Sequence, residues 1–501
     1  MIDPLQYLDL DVSPEALLIP AALLFIHSLA VVSAFHSLLH VRTSQAAIAW
    51  VVGLVTIPYV TLPLYWMFSR HRFEGYREAI REVGDQHQHS VTAIRRELFT
   101  EQADRPTLSA SSLSLVASVL ETPISAGNEF RLLIDGKAFF DAMLMQIQSA
   151  ERYVYASFYI IRDDQIGNQF ADALIQRARA GVTVRLLYDE VGCLRLSNGY
   201  LRRLVDAGVD VHSFNTRQGW VNRFQVNFRN HRKLLVVDGK RAIVGGLNVG
   251  DEYLGDVPSM SPWRDTSVEV VGNLTRKIQA VFAGDYYWAA RSNLPEADWQ
   301  WDPDHDVPDP QDVSDAGDTQ GLAVACATGP ADHRPRAVMM FAAAIGAAKE
   351  RLWISTPYLV PDDALLVALA MAKSRGVDVR LLIPTVADQW AVYLAGFYYE
   401  RELAEIGVPV FRYTEGMLHQ KCVLVDDSLA LIGSTNFDNR SLYLNFELLI
   451  AIADRPFVSK VAAMLDQDFD NAKHSNQSGR PLRPWFARAG TAVARLFSPV
   501  L

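Results

Sequence analysis

With 501 residues, half of them hydrophobic, the chain is long enough to bury two core-bearing units and still carry extra segments. Its mean hydropathy of +0.06 points to membrane-embedded stretches, while a formal net charge of −10 argues against a nucleic-acid binder, which would carry a basic excess. The three cysteines, Cys193, Cys326 and Cys422, stand far apart without Cys-x-x-Cys spacing, so neither a disulfide framework nor a zinc site is expected and a reducing compartment fits.

No Asp, Glu, Lys or Arg occurs between Glu15 and Arg42, nor between Arg42 and Arg70. Each gap exceeds the roughly 20 apolar residues that cross a hydrocarbon core. Transmembrane helices are expected at about Leu17–Leu39 and Ala46–Phe68, joined by a tight loop at Val41–Gln45, with Trp50, Tyr65 and Trp66 as interfacial anchors. A signal peptide is disfavoured because Asp3, Asp9, Asp11 and Glu15 precede the first span and no basic residue does. Arg42 alone lies in the loop, whereas Arg70, Arg72, Arg77 and Arg81 follow the second span, which places both termini and the globular part in the cytoplasm. His27, His36 and His40 lie on the first span. Ionisable groups there are functional candidates, but the last two sit near its exit, and a neutral or interfacial imidazole is the preferred reading. Residues 1–72 are thus a membrane anchor and 73–125 a polar tether, in which His87 and His89 are read as solvated.

An α/β pattern starts near Phe130. Strands are predicted at Arg152–Ile161, Val182–Tyr188 and Val209–Phe214, with helices at Gln165–Ala180 and Asn198–Ala207 between them. Then comes Asn230-His231-Arg232-Lys233-Leu234-Leu235-Val236-Val237-Asp238, followed by Gly245-Gly246-Leu247-Asn248. Residues 296–320 are an acidic, proline-rich linker. Its Asp302, Asp304 and Asp306 alternate like the start of a calcium loop, but the turn glycine and terminal glutamate are missing.

The plan then repeats. Arg351–Tyr358 answers Arg152–Tyr159, Val377–Leu382 answers Val182–Leu187, and Leu403–Val410 answers Leu204–Val211, with a helix at Asp363–Ser374. His419-Gln420-Lys421-Cys422-Val423-Leu424-Val425-Asp426 follows, then Gly433-Ser434-Thr435-Asn436. Both stretches read His-x-Lys-x4-Asp, a short apolar run, then Gly-small-x-Asn. Period-two alternation puts His231, Lys233 and Leu235 on one strand face, and His419, Lys421 and Val423 likewise. An imidazole that attacks or protonates, beside an ammonium and an amide that hold oxygens, suits a phosphate. After the helix Val458–Asn471, the tail 476–501 carries Trp485, Phe486, Val493, Leu496 and Phe497 among arginines. It fits either an interfacial helix or a terminal helix packed on the second half.

At these residues the chain resembles the phospholipase D superfamily, whose signature is the duplicated motif, and within it the bacterial cardiolipin synthases. The likeness is carried by Asn227–Gly255, by Trp263–Gly272 and by Phe437–Glu447, and extends to both N-terminal apolar spans. It implies an α/β fold of two similar lobes, 126–295 and 321–475, related by a pseudo-twofold axis. Each lobe would be a mixed sheet flanked by helices, and two transmembrane helices would precede them.

The chemistry this implies is phosphatidyl transfer through a covalent phosphohistidine, with no cofactor and no metal. His231 is expected as nucleophile and His419 as general acid and base. Lys233, Lys421, Asn248, Asn436 and Ser434 would hold phosphate oxygens. The resemblance assigns Asp265 and Glu447 to orienting the histidines. Asp238 and Asp426 complete the catalytic signature, though each fits a role pinning its strand–turn better than one touching substrate. The expected partners are the phospholipids of a bacterial inner membrane, phosphatidylglycerol and cardiolipin, and no nucleic acid. A phospholipase D-type hydrolase and a synthase using phosphatidylethanolamine as donor are the alternatives.

Overall fold

The computed structural model describes residues 14–69, 72–79, 111–215, 227–255, 257–258, 260–295, 321–475 and 485–500. The acidic stretch 296–320, His87 and His89 lie outside them. The chain divides into two compact units, one holding the N-terminal helices through Phe73, the other running from Glu74 to Asn215 and from Phe228 onward.

In the first unit, α1 (Pro14–His40) contains Leu18–His40, the one described helix long and apolar enough to cross a membrane. The continuous second helix expected over Ala46–Phe68 is instead two, α2 (Ser44–Thr56) and α3 (Pro58–Phe68). The break has a local cause. Pro58 has no N–H to give and forces the residue before it out of the helical region, so Ile57 adopts φ −136°, ψ 60°. Neither piece alone reaches spanning length. The three helices pack through Ala30, Ala34, Leu54, Leu62 and Tyr65. Tyr65, expected at a membrane interface, is fully buried here, with its hydroxyl 2.5 Å from His36 Nδ1, and Trp66 Nε1 donates to Ser33 Oγ at 3.1 Å.

The expected polar tether ends early. Helix α4 (Ser111–Leu120) repeats apolar residues at helical spacing, and Leu113, Val116, Ala117 and Leu120 are buried in a core of the second unit. From there the order is β1 (Asn128–Ile134), α5 (Asp135–Gln148), β2 (Tyr153–Phe158), α6 (Gln165–Arg179), β3 (Thr183–Asp189), α7 (Asn198–Asp206), β4 (Asp210–Phe214), β5 (Arg229–Asn230), β6 (Leu234–Val237), β7 (Arg241–Gly245), β8 (Trp263–Arg264), β9 (Thr266–Gly272) and α8 (Leu274–Ala290). The second half follows with β10 (Leu322–Thr328), α9 (Arg336–Ala347), β11 (Arg351–Ser355), β12 (Leu359–Val360), α10 (Asp363–Ser374), β13 (Asp378–Pro384), α11 (Trp390–Glu405), β14 (Val410–Tyr413), β15 (Met417–Leu418), β16 (Cys422–Val425), β17 (Leu429–Gly433), β18 (Phe437–Asp438), α12 (Asn439–Tyr443), β19 (Asn445–Ala453), α13 (Arg455–Asp470), β20 (Ala472–His474) and α14 (Trp485–Leu496).

The strand order β1-β9-β7-β6-β2-β3-β4 is repeated as β10-β19-β17-β16-β11-β13-β14, with β20 added at the far edge. Within each sheet the crossover strands run parallel and the hairpin β6–β7, or β16–β17, runs antiparallel. Strands β6 (LLVV) and β16 (CVLV) are buried on both faces, which explains their unbroken apolar sequence.

Three cores result. One lies outside the first sheet under α5, α6 and α7, with Phe140, Phe170 and Leu204. A second lies outside the other sheet under α4, α9, α10 and α11. The third fills the space between the sheets, where Ile278 and Phe282 of α8 and Val461 and Leu465 of α13 meet Val236, Val268, Leu424 and Ile450. The tail helix α14 rests on the second half along one face. Ala494 joins the second core and the Arg495 guanidinium lies 3.8 Å over the Tyr398 ring, while Val493, Leu496 and Phe497 stay exposed.

Candidate active site

The His-x-Lys segments do not lie within strands, as alternation alone suggests. They lie just before β6 and β16, where the chain passes from one sheet to the other. Strand β5 pairs in parallel with β19 of the second sheet, and His231 N donates to Phe446 O at 2.9 Å. In the mirror arrangement β15 pairs with β8, and His419 N donates to Arg264 O at 2.8 Å. Each histidine is therefore tied to backbone of the opposite half next to a carboxylate, Phe446 before Glu447 and Arg264 before Asp265.

That crossing decides the pairs. His231 Nδ1 lies 3.0 Å from both carboxylate oxygens of Glu447, and His419 Nδ1 lies 2.8 Å from Asp265 Oδ2. Each imidazole meets, through Nδ1, a carboxylate from the other half, an arrangement that can orient the ring. Both carboxylates are fully buried. Burial pushes each upward, but Lys421 and His419 at Asp265, and His231 and Lys233 at Glu447, outweigh it and hold both below the usual carboxylate range. Burial lowers His231 to about 4 against the pull of Glu447. Burial and Lys421 lower His419 as well.

The lysine ammoniums turn back onto the histidine carbonyls. Lys233 Nζ donates to His231 O at 2.7 Å; Lys421 Nζ donates to His419 O and lies 3.2 Å from His419 Nε2. Burial depresses both, Lys421 to about 8. Two buried lysines beside two imidazoles make a cluster whose cationic form suits an anion.

The asparagines and serine divide their roles. Asn248 Oδ1 accepts from Ile160 N at 3.1 Å and its Nδ2 donates to Tyr253 OH at 3.0 Å, so much of this amide holds its own loop. Asn436 Oδ1 is buried without a hydrogen-bond partner among the described residues. Ser434, expected on phosphate, stands behind the histidine instead. Its hydroxyl donates to Glu447 Oε2 at 2.6 Å and accepts from Leu448 N at 2.9 Å. The equivalent Gly246 has no room for a side chain, since a Cβ there would sit 2.2 Å from Asp265 Oδ1.

Asp238 and Asp426 lie at the opposite ends of β6 and β16 from the histidines, which corrects their inclusion among the catalytic residues. At the far end of β6, Asp238 (φ 54°) accepts from the backbone N–H groups of Glu151, Arg152 and Tyr153 at 2.8–2.9 Å. Asp426 (φ 50°) does the same for Lys349, Glu350 and Arg351. Each ties a hairpin turn to the start of the neighbouring strand.

Sequence reasoning missed a second layer. The residues flanking His231 are clamped by Asp285 of α8, which accepts from Arg232 Nη1 (2.6 Å), Asn230 Nδ2 (3.0 Å) and Tyr76 OH (3.0 Å). Asp468 of α13 does the equivalent beside His419, accepting from Arg264 Nε (2.8 Å) and Gln420 Nε2 (2.8 Å). The repeated Asp-aromatic pairs, Asp285-Tyr286 and Asp468-Phe469, were the available signal. Tyr159 lies edge-on to His231 at 4.9 Å, and Trp263 lies 5.0 Å from His419.

Residues 143–260 and 341–471 match a family model described as "Cardiolipin synthase, PLD-like domain". Cardiolipin synthase A of Pseudomonas putida is 42% identical over 478 residues, covering 95% of this chain and 96% of that protein. Cardiolipin synthase A of Pseudomonas fluorescens is 43% identical over 479 residues, covering 95% and 97%. Among solved structures, phosphatidylserine synthase of Haemophilus influenzae superposes with a TM-score of 0.56 at 16% identity, covering 78% of this chain and all of that one, which is a likeness of fold. The chain belongs to the cardiolipin synthases of the phospholipase D superfamily.

Proposed function

We propose that this protein joins two phosphatidylglycerol molecules into cardiolipin and free glycerol. The observation that carries the reading is the crossed pair of buried dyads, His231–Glu447 and His419–Asp265, which supplies two oriented imidazoles beside two ammoniums. Neutral His231 Nε2 attacks the phosphorus of the donor lipid. The bond from phosphorus to the headgroup glycerol oxygen breaks, and His419, whose protonation is favoured once the phosphodiester anion enters beside it and offsets burial and Lys421, gives its proton to that oxygen. His419 then takes the proton from a hydroxyl of the second phosphatidylglycerol. The freed oxygen attacks phosphorus, the phosphorus–nitrogen bond breaks, and cardiolipin leaves with both histidines restored. Lys233, Lys421 and the amide N–H groups of Asn248 and Asn436 stabilise the equatorial oxygens of the transition state.

The setting we infer is a bacterial inner membrane. The α1 helix makes one crossing and the broken α2–α3 pair the other, with the catalytic halves on the cytoplasmic side as two lobes about a pseudo-twofold axis. Apolar length supports the first crossing, and the basic residues after Phe68 support the orientation. Anchoring at the bilayer would keep lipid hydroxyls at high local concentration. Purified full-length protein in phosphatidylglycerol micelles should yield cardiolipin and glycerol in equal amounts. Phosphatidic acid as the main product would make it a hydrolase, and ethanolamine release from mixed micelles would move the donor to phosphatidylethanolamine.

A further inference from the structure

The two aspartates behind the motifs are served by different donors. Beside His419, the Arg264 guanidinium forks onto Asp468, with Nε donating to Oδ1 at 2.8 Å and Nη2 to Oδ2 at 2.9 Å. Arg264 precedes the carboxylate Asp265; in the other half the residue preceding Glu447 is Phe446, whose side chain has no N–H or O–H to give. At Asp285 two other groups donate. Asn230 Nδ2 reaches Oδ2 at 3.0 Å, and the Tyr76 hydroxyl reaches Oδ1 at 3.0 Å, the oxygen that also accepts from Arg232 Nη1 at 2.6 Å. Tyr76 comes from outside the repeat. Residues 74–79 are helical, follow soon after α3 in the chain, and belong to the same compact unit as the site.

The Tyr76 ring is held on its apolar side as firmly as its hydroxyl is on the polar one. It packs 4.7 Å from the ring of Phe446, 6.1 Å from Trp288 and 6.3 Å from Phe214. Burial and the Asp285 carboxylate push its phenol well above the ordinary value, so the hydroxyl stays a donor. From Asp285 the contacts run on to the dyad. Arg232 Nε donates to Glu447 O at 3.1 Å and Nη2 to Thr328 O at 3.2 Å, and the guanidinium lies 5.3 Å over the Phe446 ring. Phe446 O accepts in turn from His231 N at 2.9 Å. Backbone groups of both His231 and Glu447 are therefore tied to the two residues that Tyr76 reaches, one through Asp285 and one through its ring.

We propose that Tyr76 is a positioning residue for the His231–Glu447 dyad, serving Asp285 where the Arg264 fork serves Asp468. Its hydroxyl fixes the Asp285 carboxylate and so the Arg232 guanidinium; its ring fixes Phe446. Together they hold the imidazole and its carboxylate in register for attack on phosphorus. The repeat supplies the reacting groups, and the segment that follows the N-terminal helices completes their support on one side. The inference rests on the reading above, in which His231 attacks the donor lipid and glycerol leaves.

The test follows single-turnover glycerol release by full-length protein in phosphatidylglycerol micelles, with rates taken per folded molecule. Tyr76→Phe keeps the ring and loses the hydroxyl, so release should slow about three- to tenfold while the KM for the lipid stays as in the wild type. Tyr76→Ala loses the ring as well and should slow release further, again without a change in KM. A Tyr76→Phe protein that releases glycerol at the wild-type rate overturns the proposal, whatever its melting temperature, because a purely structural tyrosine would move only the latter. A raised KM at unchanged kcat overturns it too, since that is the mark of a group serving lipid binding. Glycerol leaves before an acceptor is chosen, so the result is read in the same way whether the final product is cardiolipin or phosphatidic acid. Wild-type protein that releases no glycerol would remove the reading above, and the positioning role with it.

Discussion

At the scale of single residues, the arrangement of His231 and Glu447 makes sharp demands. On the proposed mechanism, replacing either histidine by alanine removes an attacking or proton-transferring group and should cost at least about 10³-fold in cardiolipin formation. Ser434→Ala tests the layer behind. It deletes a charge-assisted hydrogen bond to Glu447 worth ~1.5 kcal/mol, so kcat should fall about tenfold, whereas a phosphate-binding serine would chiefly raise KM. The pH dependence follows from His231. Its folded value of about 4 lies below the ordinary 6.5, so the native state binds fewer protons than the unfolded chain between those values. The stability it contributes is complete above pH 6.5 and declines as pH falls toward 4; the lowered Asp265 and Glu447 act in the same direction. The acid limb of kcat/KM should accordingly lie near pH 4, and a limb between 6 and 7 would contradict a buried neutral His231.

Elements position these residues through their ends rather than their middles. The histidines sit where two-residue strands, β5 and β15, hand the chain from one sheet to the other, a register that no local pattern announces. The signature aspartates do their work at the opposite strand ends. Asp238→Ala would leave three backbone N–H groups without their acceptor and should cost about 1–3 kcal/mol of stability. A lowered melting temperature with kcat/KM of the folded fraction retained would bear this out; a loss of turnover without a change in melting would return Asp238 to the chemistry. Gly246→Ser places a side chain where the Asp265 carboxylate lies, so it should disrupt the His419 dyad and lower turnover at least about 10²-fold.

At the scale of the whole molecule, the two halves are interdependent twice over, through a core shared between the sheets and through dyads that exchange carboxylates. Neither half expressed alone should be soluble or active, and co-expression of 74–295 with 321–501 is the condition under which lipid turnover could return. Activity from a single half would rule the crossed dyads out as the working site. The repeat, the helices between the parallel strands, the paired His-x-Lys motifs and the apolar N-terminal span were legible in the sequence, because each is written in local periodicity or in residues close together along the chain. Which carboxylate serves which histidine was not, nor that Ser434 supports Glu447, nor that Asp285 and Asp468 clamp the motif. Those contacts join residues from 13 to 216 positions apart. They exist only because the sheets meet face to face and trade strands at the seam, and that packing decision belongs to the tertiary structure.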